Sequence, residues 1–248
     1  MPTLVIEHSA LTGSDRFGEI LRDCGHRLDV RRVYLDDPLP PDLDGIDAVV
    51  ACGGPQSPLA EDIPWMNREI EILRDAHAAA IPIVAFCLGS QLLGRALGAT
   101  ITPLEGGIEA GWHDVTLLPA GREDPVFAGH AWTSVQLHWH RMQVGDLPPD
   151  ARVLARSART PVQSWAIGLR TYAFQYHPEA HAGRGLQWAD DEPGDLKEAS
   201  ISRDRLEADT KECFPAAARL ADRLFERLAL MVMPLDRRFA GIAKDLHH

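Results

Sequence analysis

The chain has 248 residues, 45% of them hydrophobic, enough to bury a full core as one α/β domain or two small ones. Its 25 basic and 36 acidic side chains leave a formal charge of −11, so a nucleic-acid or anionic-membrane partner would need a basic patch working against the overall field. Arg31-Arg32 and Arg237-Arg238 are short and flanked by acids, which argues against both kinds of partner.

No Gly/Ser-rich or Pro-rich linker divides the chain. It is therefore expected to be one domain over residues 1–248, with a core to about residue 180 and a helical extension over about 181–248. Cys24, Cys52, Cys87 and Cys213 lie far apart with no Cys-x-x-Cys pair, which argues against a zinc site and a disulfide framework. The N-terminus lacks a basic region followed by a long apolar run, and no apolar stretch is long enough to span a bilayer. A soluble, cytoplasmic protein is the expectation.

Taken in order, Thr3-Leu-Val-Ile-Glu7 reads as a short buried strand, and Asp15 to Cys24 as a helix ending near Gly25. Arg27 to Leu35 reads as a second strand, followed by a loop from Pro38 to Pro41. Asp47-Ala-Val-Val-Ala-Cys52 is a buried strand stopped by Gly53-Gly54-Pro55. Pro64 to Ala80 is helical, with proline in a permitted first-turn position. The strand Ile81 to Phe86 and the helix Leu88 to Leu97 follow. Strand-like pieces dominate from Thr100 to Gln175, among them Asp114 to Leu118, Trp132 to Leu137 and Arg170 to Gln175. Residues Ala182 to Gly194 read as a loop, and two helices, roughly Ser200 to Glu212 and Pro215 to Met231, close the chain.

Strands alternating with helices imply a mainly parallel sheet covered on both faces. That is an α/β, flavodoxin-like three-layer sandwich with C-terminal helices. In such sheets ligands gather at the carboxyl ends of the strands, where Cys52-Gly53-Gly54, Cys87 and His177 all fall.

Cys87 stands where a buried strand runs directly into a helix, and Gly89 permits close backbone approach at this elbow. A thiol at a helix N-terminus is favoured as thiolate. His177 ends the later strand Tyr172-Ala-Phe-Gln-Tyr-His177, and Glu179 follows two residues on, on the same face of an extended segment. Nucleophile, base and orienting acid are the parts of a covalent acyl-transfer site. The N–H groups of Leu88 and Gly54 are candidate oxyanion donors. The histidines His113, His138 and His140 lack carboxylates at ligand spacing, so no metal and no cofactor is expected.

Four segments carry a family resemblance: Gly53-Gly54-Pro55, Phe86-Cys-Leu-Gly-Ser-Gln91, Trp139-His140 and Phe174-Gln-Tyr-His-Pro-Glu179, with Glu109-Ala-Gly-Trp112 as a weaker match. On these the chain resembles a class I, triad-type glutamine amidotransferase domain, similar to the glutaminase domain of GMP synthase, from the first strand to about Glu179. The resemblance implies that Cys87 attacks the side-chain carboxamide of glutamine, ammonia leaves, and water hydrolyses a γ-glutamyl thioester. It implies an oxyanion hole from Gly54 and Leu88. The amino-acid end of the substrate would be held by Gln91 and the loops at Gln56 and at Trp139, His140, Arg141 and Met142.

Many relatives have glycine where this chain has Arg141, so either Arg141 points outward or the acyl donor differs from free glutamine. Three functions follow: glutaminase, alone or for a separate synthase; stand-alone γ-glutamyl hydrolase or peptidase; and non-catalytic regulatory subunit.

Overall fold

The computed structural model describes residues 1–234, which leaves Arg237-Arg238 outside the described residues. Its strands are β1 (Pro2–Glu7), β2 (Arg27–Arg32), β3 (Ala48–Ala51), β4 (Ile83–Phe86), β5 (Ile101–Pro103) and β6 (Glu109–Leu117). There follow β7 (Thr133–His140), β8 (Met142–Val144), β9 (Ala151–Arg156), β10 (Ser164–Ile167) and β11 (Thr171–Phe174). The helices are α1 (Asp15–Asp23), α2 (Pro64–Ala78), α3 (Leu88–Ala96), α4 (Pro119–Glu123), α5 (Arg184–Asp191), α6 (Pro193–Glu198) and α7 (Arg203–Arg227).

Nine strands form one sheet in the order β2-β1-β3-β4-β11-β10-β9-β6-β7, and β5 pairs separately with β8. The run from β2 to β11 is parallel. Beyond it the pairings are antiparallel, so only β10 and β6 run against the other strands. This is the mainly parallel α/β sandwich that the alternation of elements implied.

Period-two alternation builds the layers. Leu4, Ile6, Val49, Ala51, Ile83, Ala85 and Ala173 face α2 and α3, packing with Met66, Leu73, Leu88 and Leu92. Val5, Val50, Val84, Phe86, Tyr172 and Phe174 face the other way, onto Phe17 and Leu21 of α1 and Ala221, Leu224 and Phe225 of α7. Strands buried on both faces must be apolar throughout, which is why β3 and β4 read as unbroken hydrophobic runs.

Three sequence expectations are corrected. The strand from Arg27 stops at Arg32, and Val33–Leu35 form a 3-10 turn that leads into Asp36 at φ 62°. Residues Ala182 to Gly194 are mostly helical, because Trp188, Ala189 and Leu196 find apolar partners in Leu137, Trp139 and Leu206. The two closing helices are one, α7, which passes through Pro215 and is followed by a π turn over Leu228–Val232. Pro215 and Lys211 are both exposed, so the helix carries its proline on the solvent face.

Candidate active site

Sheet register sets the site. Phe86 pairs with Phe174 and Ala51 with Ala85, so the residues after β3, β4 and β11 emerge together at the carboxyl edge. Cys87 follows Phe86 directly, and its N–H donates to the Phe174 carbonyl at 2.7 Å. It holds φ 46° and ψ −106°, a conformation that side-chain-bearing residues avoid, as the cap residue of α3. The helix can begin so abruptly because Gly89 has no side chain: a Cβ there would lie 2.3 Å from the Ala51 carbonyl oxygen. The predicted elbow is thus a close approach of α3 to β3.

His177 is 4% exposed and Glu179 3%, and the ring Nδ1 lies 2.8 Å from Glu179 Oε1. The turn at Pro178 therefore brings the carboxylate to the ring and leaves Nε2 free of it. Burial disfavours a charged imidazole, but Glu179 and then Cys87 outweigh it and push the His177 pKa up to about 10. Gly53 is where nucleophile and base converge: a Cβ built there would stand 3.1 Å from His177 Cε1 and 3.6 Å from Cys87 Cβ. Trp188 of α5 packs on the imidazole at 4.6 Å between ring centroids.

The expected oxyanion donors sit in a tight setting. Leu88 is the first residue of α3, so its N–H has no intrahelical acceptor. Gly54 has no room for a side chain, since a Cβ would lie 2.6 Å from Gln56 Oε1 and 2.7 Å from both His8 Cβ and Leu88 Cδ2. Neither N–H has an acceptor among the described residues.

The remaining predicted contacts divide. The Trp139 carbonyl oxygen lies 3.6 Å from the Cys87 sulfur, which places this expected substrate contact beside the thiol. Gln91 is buried, and its amide donates to the Met142 carbonyl at 2.9 Å and to Gln175 Oε1 at 3.0 Å. Gln56 donates to the His8 carbonyl at 2.8 Å. Gln91 and Gln56 therefore brace the protein's own loops. Arg141 donates to Asp195 at 2.7 Å and to Glu198 at 2.8 Å, both on α6. Its charge is neutralised there, and Asp195 also accepts from the Trp139 indole at 2.7 Å.

His140 lies with its Nδ1 3.1 Å from the Met142 carbonyl oxygen and its Nε2 3.0 Å from Glu109 Oε2. This corrects a premise of the sequence reading, which found no carboxylate near these histidines: β6–β7 pairing sets Glu109 opposite His140. His138 Nδ1 is 3.4 Å from the same oxygen, and the three residues form a buried cluster of metal-ligand type. However, Glu109 also accepts from Ser157, Thr160 and Gln163 at 2.9–3.0 Å. Both Glu109 oxygens already accept from neutral protein donors, which fits a buried hydrogen-bonded strut, while His138 Nε2 and His140 Nε2 have no hydrogen-bond partner among the described residues.

Sequence reasoning missed four residues that the structure puts near the thiol or its loops. Gln175 donates to the Cys87 sulfur at 3.6 Å; as the first residue past β11, its strand-end position was the available signal. His8 pairs with Glu69 at 2.7 Å. Glu69 interrupts the buried stripe of Met66, Ile70 and Leu73, and an acid on an apolar face signals a buried partner. Asp195 had no such signal.

An α/β sandwich with a strained cysteine elbow and a buried His–Glu pair is the architecture in which a thiol and an imidazole meet at a strand edge. The comparisons with known proteins narrow it. The family model for glutamine amidotransferase class-I matches residues 17–189, and the chain belongs to that family. The glutamine amidotransferase-like protein YfeJ of Salmonella typhimurium is 34% identical over 178 residues, covering 70% of this chain and 74% of that protein. The glutamine-hydrolysing GMP synthase of Thermotoga maritima is 30% identical over 154 residues. That match covers 60% of this chain and only 27% of the synthase, so the chain corresponds to about a quarter of it.

Among solved structures, a glutamine amidotransferase from Thermotoga maritima superposes with a TM-score of 0.82 at 23% identity, covering 93% of this chain and 98% of that one. One from Methylobacillus flagellatus gives 0.81 at 27% identity, with 91% and 93% covered. No helix among the described residues is long and apolar enough to cross a membrane.

Proposed function

We propose that the protein releases ammonia from the side chain of glutamine, with Cys87 as nucleophile, His177 as base and Glu179 as the group that orients the ring. In this reading the Cys87 sulfur attacks the carboxamide carbon, and the N–H groups of Gly54 and Leu88 receive the negative charge that develops on oxygen. His177 Nε2 gives a proton to the departing ammonia, leaving a γ-glutamyl thioester. The same nitrogen then takes a proton from water, which attacks the thioester and frees glutamate. The observation that carries this reading is the buried imidazole held by Glu179 at 2.8 Å and converging with Cys87 on Gly53.

The ion pairs of Arg141 with Asp195 and Glu198 support glutamine as the acyl donor. They satisfy the extra charge that had favoured a different γ-glutamyl substrate, which weakens one argument for a stand-alone γ-glutamyl hydrolase or peptidase. The synthases among the relatives support a separate acceptor enzyme as partner, to which the ammonia would pass. The test is ammonia release from glutamine, measured alone and with cell fractions added, together with labelling by an electrophilic glutamine analogue. Turnover lost on labelling of Cys87 is the expected result. Absence of both labelling and turnover would refute the reading.

A further inference from the structure

A second histidine–carboxylate pair lies against the Gly53-Gly54 turn and has no part in the scheme above. His8, just past the end of β1, is fully buried. Its Nδ1 lies 3.0 Å from the Gly53 carbonyl oxygen and its Nε2 2.7 Å from Glu69 Oε2. The Gly53 carbonyl can only accept, so Nδ1 carries the proton of that bond; with Glu69 as a carboxylate Nε2 donates as well, and the ring is an imidazolium balanced by that carboxylate. Burial opposes that charge, yet Glu69 outweighs it and raises the His8 pKa. Trp65 stacks on the ring, with centroids 5.0 Å apart and planes 25° from parallel.

The Gly53 carbonyl and the Gly54 N–H belong to one peptide unit. No peptide bond among the described residues is cis, and in a planar trans unit the two groups point in opposite directions. Whatever anchors the carbonyl therefore sets the aim of the N–H. Glycines at both positions give this turn little stiffness of its own. Gln56, which donates to the His8 carbonyl at 2.8 Å, closes the turn back onto β1.

We infer that His8, held by Glu69, is a positioning residue that aims the Gly54 N–H at the oxygen of the acyl intermediate. The inference rests on the reading of Gly54 as an oxyanion donor. Loss of such a donor lowers the rate by about 10²–10³; a donor left in place but free to swing should lower it by roughly 10–100-fold, under the same principle.

The test separates acylation from thiol reactivity. Alkylation of Cys87 by iodoacetamide displaces iodide at a saturated carbon and develops no oxyanion, so it reports the thiol and His177 alone. Three proteins are compared: wild type, the double variant His8→Phe/Glu69→Leu, and His8→Asn made in the same Glu69→Leu background. The double variant keeps the volume and leaves no carboxylate unpaired. In His8→Asn the amide nitrogen takes the place of Nδ1 and still donates to the Gly53 carbonyl.

The expected result is a fall in kcat of roughly 10–100-fold for the double variant, with KM and the alkylation rate within about twofold of wild type. His8→Asn should recover most of kcat. An unchanged kcat in the double variant, a parallel loss of alkylation, or His8→Asn as impaired as the double variant would overturn the inference. Nitrogen-15 NMR of the histidine rings in wild type provides a measurement that needs no variant: His8 should show a bonded proton on Nδ1 at neutral pH, and an Nδ1 without one would also overturn the inference. Wild type that alkylates normally but turns over neither glutamine nor a γ-glutamyl anilide would instead sink the oxyanion reading itself.

Discussion

Cys87 is held in a conformation that costs about 1–3 kcal/mol, with φ at 46°, by the Phe174 carbonyl on its N–H and by α3 starting at the next residue. Glycine reaches this region freely and alanine does not. Cys87→Ala and Cys87→Gly should both lose turnover, but Cys87→Gly should be the more stable by about 1 kcal/mol in urea unfolding, the strain a side chain adds. Equal stabilities would mean that the strain is relieved elsewhere. Glu179 is the larger of the two influences that raise the His177 pKa. Glu179→Gln should therefore move the NMR titration midpoint of the ring down from about 10. It should also reduce kcat less than His177→Ala, because the base remains in place. An unmoved midpoint would remove Glu179 from its assigned role.

At the scale of elements, the elbow depends on α3 lying against β3. Gly89→Ala forces a Cβ to within 2.3 Å of a backbone oxygen, which a packed helix relieves only by moving. It should destabilise by about 3 kcal/mol or more. Gly98→Ala, at φ 89° with open space around it, should cost only the conformational penalty of about 1 kcal/mol. Chemical denaturation distinguishes the two, and similar values would refute the close-packing account.

The pair α5–α6 is a strap fastened by Asp195 to Trp139 and Arg141. Asp195→Ala should speed amide hydrogen exchange over residues 184–198 while leaving the parallel strands protected. These helices were invisible in the sequence because they are short, carry Gly183, Gly185, Pro193 and Gly194, and owe their apolar faces to tertiary partners. The parallel strands and α1 to α3 were legible because burial on fixed faces imposes a period that local residues display. Pro215 misled for the opposite reason: a strong local signal was overridden where an exposed helix face can spare one bond.

Across the whole molecule, what sequence could not supply were the pairings between distant chain segments. Cys87, His177 and Glu179 were legible as candidates because they stand at recognisable strand-end motifs. His8 with Glu69, and Glu109 with His138 and His140, join positions 61, 29 and 31 residues apart, and nothing local marks them as partners.

Two buried histidines shape the stability of the molecule in opposite directions. Burial, opposed by Glu109, lowers the His138 pKa to about 4. Its contribution is complete above the unfolded value near 6.5 and fades as pH falls toward 4. His177, raised to about 10, contributes fully below 6.5 and loses that contribution as pH rises toward 10. Replacing His138 should therefore make melting temperature fall less steeply below pH 6.5, and replacing His177 should make it fall less steeply above, where His8 contributes in the same direction. A melting temperature still rising between pH 7 and 9 would contradict the His177 assignment.

The most direct test of the proposed chemistry is intact-protein mass spectrometry on enzyme quenched in acid during glutamine turnover. The account predicts a population heavier by one glutamyl group, carried on the peptide that contains Cys87 and absent from Cys87→Ala. Ammonia release at an undiminished rate by Cys87→Ala, or an adduct on a different residue, would contradict it.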